Sequence, residues 1–179
     1  MSLGTILALI SAAIATVFAG IGSIRGVGMS AEAGMGVLAE DPSKFGKLLV
    51  LELLPGTQGL YGFIVSFLIL MNIGIFGGIN ANIASEVGWL YIVASLPIAI
   101  GGLISGIAQG RAAVAGISLL AKRQSEFSKA MVSTTLVEIY ALLSFLVSLL
   151  SVLAAVRWYR EPTLPRILCV ALAVGLGMM

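Results

Sequence analysis

Glu138 sits in TTLVEIYALLSF (134–145), an otherwise apolar stretch in a segment long enough to cross a membrane. An ionised carboxylate in hydrocarbon costs at least about 2.5–3.5 kcal/mol even on the lenient insertion scale, so a glutamate there is protonated, paired or ion-bound. It lies nine residues after Lys129 and nineteen before Arg157, or about 14 Å and about 28 Å at the rise of a helix. That depth is inside the membrane, nearer the Lys129 side.

Other polar side chains reach the same layer. Thr57 and Gln58, in LLPGTQGLYG (53–62), follow Lys47 by ten and eleven residues, and Gln109, in SGIAQG (105–110), precedes Lys122 by thirteen. Tyr61 lies one turn beyond Gln58, where its hydroxyl can hold the carboxylate in place. Pro55 removes an N–H and loosens its helix, which leaves nearby backbone carbonyls such as that of Leu54 available as ligands. Oxygens gathered around one negative charge suit a hard monovalent cation, because calcium or magnesium usually calls for more negative ligands or retained water. Sodium is the expected ion. The bland alternative is a permanently protonated Glu138 among amides that only hold helices together.

The remaining charges invite less chemistry. Glu52 follows Lys47 by five residues, which places it at the membrane interface in a positional role. Arg25, Glu32 and Arg111 lie on helix stretches expected to project into water, where charges are usually solvated. The glycines of GIGSIRG (20–26) are spaced G-x-G-x-x-x-G with no strand before them, so helix packing explains them better than a nucleotide. With no histidine and one cysteine, Cys169, the chain has no Cys/His metal cluster, no Ser-His or Cys-His pair and no internal disulfide. No catalytic site is expected.

These residues need membrane-spanning helices to position them. The 179 residues are 59% hydrophobic and only 10% charged, and the mean hydropathy is +1.11, which is the membrane class. No charged residue interrupts Glu52–Glu86 or Glu86–Arg111, whereas a span needs about 20 apolar residues. The uncharged start lacks a basic region and cleavage site, so it is expected to be a true span and not a removable signal. A net charge of +2 without basic runs interleaved with aromatics argues against nucleic acid. Four helical spans are predicted, over 3–39, 44–79, 85–121 and 125–157, separated by turn-rich or polar stretches. Lysines and arginines gather at the first and third loops and spare the second. Loops 39–47 and 121–129 are therefore expected to be cytoplasmic, with the termini and loop 77–85 external.

The spans repeat. GIGSIRG (20–26) aligns with GIAQGRA (106–112), and LAEDPSKFGK (38–47) with LAKRQSEFSK (120–129), which makes the chain a helical hairpin duplicated in parallel. The first and third spans carry small residues at four-residue spacing, including Ser11, Ala15, Ala19 and Ser23, then Gly102, Gly106 and Gly110, so backbones can approach closely. The second and fourth carry Phe63, Phe67, Leu68 and Leu70, and Leu142, Leu143, Phe145 and Leu146, and are expected to face lipid. Several copies side by side would form a two-layered ring, with the first and third spans inside and the second and fourth outside.

Together the duplicated hairpin, LLPGTQGLYGF, SGIAQGRAAVAG and VEIYALLSF closely resemble the sodium-type proteolipid, or subunit K, of bacterial V-type rotary ATPases, over about residues 5–156. The resemblance implies an all-α membrane protein of four spans, with identical subunits in a membrane ring. It implies Glu138 as the ion-carrying carboxylate, Leu54, Thr57, Gln58 and Gln109 as further ligands of Na+, and Tyr61 as the closing hydrogen bond. It also implies a stator membrane subunit that offers an arginine, a central-stalk subunit on the cytoplasmic face, and ATP hydrolysis or synthesis in an attached soluble sector. The expected division is residues 1–79 for the first hairpin, 80–157 for the hairpin with the ion-binding glutamate, and 158–179 for a tail that departs from the family. Two rivals remain open: the same ring carrying H+, and a small four-helix channel or drug-type transporter, for which Tyr61 and Tyr140 would have to line a cavity beside Glu138.

Overall fold

The computed structural model describes residues 1–79 and 82–160, so the expectations for the tail beyond Arg160 lie outside the described residues. Among the described residues there are five α-helices: α1 (Leu3–Glu40), α2 (Phe45–Leu53), α3 (Thr57–Asn72), α4 (Ser85–Lys122) and α5 (Phe127–Arg160). A tight 3-10 turn, Leu54–Gly56, joins α2 to α3, so the predicted second span is one membrane crossing with a break at Pro55. Four stretches are long and apolar enough to cross a membrane: α1, Pro42–Asn72, α4 and the stretch Gln124–Arg157. Strands are absent among the described residues.

Local chemistry sets the ends. Ser2 caps α1 by accepting the Thr5 N–H at 3.3 Å, and Pro42 follows the last turn, where the Asp41 N–H returns to the Val37 carbonyl at 3.0 Å. Past Asn72 the chain turns through Gly74 and Gly78, at φ +80° and +107°, a conformation glycine adopts without strain. The second span thus ends seven residues earlier than the sequence expectation of 79.

Helices α1 and α4 meet backbone to backbone. A Cβ added at Gly22 would collide with the Gly102 carbonyl oxygen, and one at Gly26 with that of Gly106. Only glycine permits such an approach. Helices α3 and α5 dock on this pair, α3 on α1 through Gly62 against Ala15 and Ala19, and α5 on α4 through Gly116 against Ala130. Phe63, Phe67, Leu142, Leu143 and Leu146 are exposed, as expected of lipid-facing side chains, but Leu68, Leu70 and Phe145 pack inward against the core. Phe145 turns in because its ring stacks on Tyr61 at 5.3 Å between centroids.

The ends are tied differently. At one, the Lys44 ammonium donates to the Ala121 carbonyl at 3.1 Å and pairs with Asp41 at 3.4 Å, so the first and third loops lie together. Ser43 donates to Asp41 from its hydroxyl and its N–H, which holds that carboxyl below its ordinary pKa. At the opposite end, Ser2 donates to the Ile83 carbonyl at 2.7 Å.

Candidate ion-binding site

The break at Pro55 supplies the first group of oxygens. Proline has no N–H and its ring crowds the preceding turn, and here the backbone tightens so that the Thr57 N–H reaches the Leu54 carbonyl. The Thr57 hydroxyl donates to the same carbonyl at 3.0 Å. That carbonyl therefore has two donors from one residue, and rotation of the hydroxyl would free one lone pair on it together with the hydroxyl's own oxygen. The Gly59 N–H is taken by Ser23 Oγ of α1 at 2.7 Å, so the helix resumes with its donor satisfied.

Two buried glutamines form the second group. Gln58 Nε2 donates to Gln109 Oε1, and Gln109 Nε2 donates to the Thr134 carbonyl at 3.3 Å, which links α3 to α5 across α4. Both side chains are fully buried, and Gln58 Oε1 has no hydrogen-bond partner among the described residues. A bare buried acceptor is costly, on the order of 1–3 kcal/mol, unless something fills it. A cation is one thing that can.

The third group is the carboxylate. Tyr61 donates to Glu138 Oε1 at 2.6 Å, the short distance of a charge-assisted bond, and the Tyr61 ring is held by Phe145. Glu138 is half-buried between α3 and α5. Among the described hydrogen bonds it engages Tyr61 and neither glutamine. Tyr140, two residues on, is 70% exposed. Two residues turn a helix by about 200°, so it leaves the far side of α5 and does not share a cavity with Glu138.

Residue types alone do not reveal three contributors: the Thr134 carbonyl, Ser23 and Phe145. Ser23 carries a visible signal, a hydroxyl among the glycines of GIGSIRG, but its spacing fits a small residue for packing equally well. A backbone carbonyl such as that of Thr134 leaves no mark in residue type.

The family model for the C subunit of ATP synthase matches this chain twice, over residues 10–69 and 92–151, one match in each hairpin. The chain belongs to the ATP synthase C-subunit family. It is 47% identical over 152 residues to the V-type sodium ATPase subunit K of Enterococcus hirae, covering 85% of this chain and 94% of the relative. It is also 41% identical over 145 residues to the A-type ATP synthase subunit K of Methanocaldococcus jannaschii, covering 81% of this chain but 61% of that longer relative. As a member of this family with four spanning stretches, the chain is a membrane-embedded multi-span protein.

Proposed function

We propose that this protein is the rotor-ring subunit of a V-type rotary ATPase and that each copy carries one sodium ion at Glu138. The observation that carries the reading is Gln58 Oε1, a buried oxygen without a donor in the layer where Tyr61 holds the carboxylate. The likeness to a sodium ATPase subunit K along nearly its whole length supports the same ion.

On this reading Glu138, Gln58, Gln109, Thr57 and the Leu54 carbonyl are the ligands. The Thr57 hydroxyl turns its hydrogen away from Leu54, so that both oxygens face the ion. Tyr61 closes the site against lipid, where an unpaired carboxylate would be expensive. The ring carries loaded sites through the bilayer and discharges them beside a stator arginine, which makes the ionised, empty form tolerable. A central stalk at the cytoplasmic face couples rotation to ATP chemistry in the soluble sector. Loops 39–47 and 121–129, which lie at one end of the bundle, are assigned to the cytoplasm by their positive residues.

Sodium and a proton then compete for one carboxylate. A carbodiimide attacks the protonated acid, so at fixed pH sodium should slow its labelling of Glu138 in the membrane-assembled protein, and potassium should do so poorly. Labelling that follows pH alone and ignores sodium would replace this reading with the proton-carrying ring.

A further inference from the structure

The duplicated hairpin implies a second place in the assembly where a site could have been, at the junction between copies. The inference rests on the ring of copies proposed above. In a ring of duplicated hairpins, the second hairpin of one copy meets the first hairpin of the next much as the two hairpins meet within a chain. The in-chain junction is therefore a template for the one between copies. There, Gln58 of the first hairpin reaches across to Gln109 of the second, beside Glu138.

The repeat says which residues take those roles at the other junction. Matching 106–112 to 20–26 puts Ser23 in the place of Gln109. Matching 120–129 to 38–47, an offset of 82 residues that also separates the two family matches, puts Gly56 in the place of Glu138 and Tyr140 in the place of Gln58. Each inward-pointing ligand has shrunk, glutamine to serine and glutamate to glycine, while the residue that reaches across has grown to tyrosine.

The space around these residues fits that exchange of volume. A Cβ added at Gly56 would meet only Val27 Cγ2, at 3.6 Å, and one at Gly20 would meet nothing within 4 Å. Gly20 and Gly56 thus leave a notch of open space beside Ser23, against which Gly59 packs closely. Tyr140 is 70% exposed, although Gln58, its counterpart in the repeat, is fully buried. A phenol hydroxyl held in hydrocarbon without a partner is unfavourable, and Ser23, which already accepts the Gly59 N–H, offers it an oxygen at the matching place.

We infer that Tyr140 of each copy plugs the notch formed by Gly20, Ser23, Val27 and Gly56 of the next copy, filling the ion-free counterpart of the Glu138 site. The plug accounts for two features at once. It removes water and ions from a junction that has no carboxylate to hold them, and it sets the axial register between neighbours.

The test uses the full chain assembled in membranes, with Tyr140→p-benzoylphenylalanine as a photoreactive aromatic in place of the plug. Illumination should yield covalent dimers and higher oligomers whose cross-linked peptides contain residues 20–27 or 56–59. Adducts to lipid, or oligomers joined at other segments, would overturn the plug while leaving the ring intact. A protein that runs as a monomer throughout would overturn both the ring and the plug. A second measurement avoids the bulky label. Gly56 has ordinary helical backbone angles, φ −80° and ψ −19°, and open space, so Gly56→Leu should be harmless inside one chain. It should lower the temperature at which the assembly dissociates, and that loss should vanish in a Tyr140→Ala background. If the two losses simply add, the residues do not touch across the junction and the inference fails.

Discussion

The second and fourth spans begin from aligned stretches and end up unlike each other. Pro42–Asn72 is broken at Leu54–Gly56, whereas α5 runs unbroken from Phe127 to Arg160. The broken span holds no acid at the level of Glu138, but it offers a carbonyl and a hydroxyl at one point, Leu54 and Thr57. The straight span offers the carboxylate, and its Thr134 carbonyl accepts from Gln109 without any break in the helix. A continuous helix engages its carbonyls internally, so a break makes a carbonyl such as that of Leu54 easier to turn toward an ion, and a charge in hydrocarbon is safest on a span that does not unwind. A proline alone does not make such a break. Pro97 lies inside α4, yet that helix continues, and the Ile98 N–H is taken by Ser148 Oγ at 3.0 Å. At Pro55 the backbone tightens into a 3-10 turn instead.

If the straight span supplies the charge, Glu138→Gln should have the largest effect of any single change. The amide keeps the shape and can still accept from Tyr61, so assembly in membranes should persist. Sodium-dependent transport and sodium binding should be lost, as read by isotope uptake and by bound sodium per chain. Transport that survives would move the site to another residue.

Gln109→Ala comes next, because Gln109 connects the second and fourth spans. It accepts from Gln58 and donates to the Thr134 carbonyl. Its removal takes away one proposed ligand and leaves the buried Gln58 amide N–H without its acceptor, so half-saturating sodium should rise about ten- to a hundred-fold. Sodium protection of Glu138 against carbodiimide measures it. Gln58→Ala should act in the same direction.

Pro55→Ala tests the broken span directly. An N–H at position 55 can rejoin the Leu51 carbonyl and draw the turn back toward α-helix, which carries Leu54 and Thr57 away from the layer of Gln58. Glu138, Gln58 and Gln109 stay, so affinity should fall only about three- to ten-fold, the net worth of roughly one hydrogen bond. Unchanged affinity would mean that the backbone carbonyl is not a ligand.

How far the sequence can be read follows from the same contrast. The spans, the duplication and Glu138 are legible because each is a departure in residue type: long uncharged runs, repeated motifs, one acid in an apolar segment. The hydrogen bond from Tyr61 is legible too, since one helical turn separates it from Gln58. What cannot be read lies in the backbone and in orientation. Pro55 signals a loosened helix, but not that the N–H and the hydroxyl of Thr57 both cover the Leu54 carbonyl. Phe145 reads as lipid-facing by type and spacing, and only its stack on Tyr61 turns it inward. The stripe of Gly22, Gly26, Gly102 and Gly106 is readable as close packing, because little else explains glycines at that spacing in a helix.

The smallest effect belongs to Glu52, the acid of the second span. Its carboxylate lies against α1 where Gly34 leaves room, since a Cβ at Gly34 would collide with Glu52 Oε1. Ser30 Oγ, shared among several carbonyls, also reaches the Glu52 carbonyl at 3.3 Å. The side chain thus fills a notch between α1 and α2, a task of shape that an amide of the same size performs as well. Glu52→Gln should therefore leave sodium affinity and transport unchanged. Gly34→Ala should lower stability only slightly, because the group it meets is the end of a flexible side chain that can swing aside, and the further change Glu52→Ala should remove even that small loss. Thermal stability of the assembled protein reads both arms. A large loss of sodium affinity in Glu52→Gln would mean that the broken span carries a working charge after all, and that the second and fourth spans share the ion.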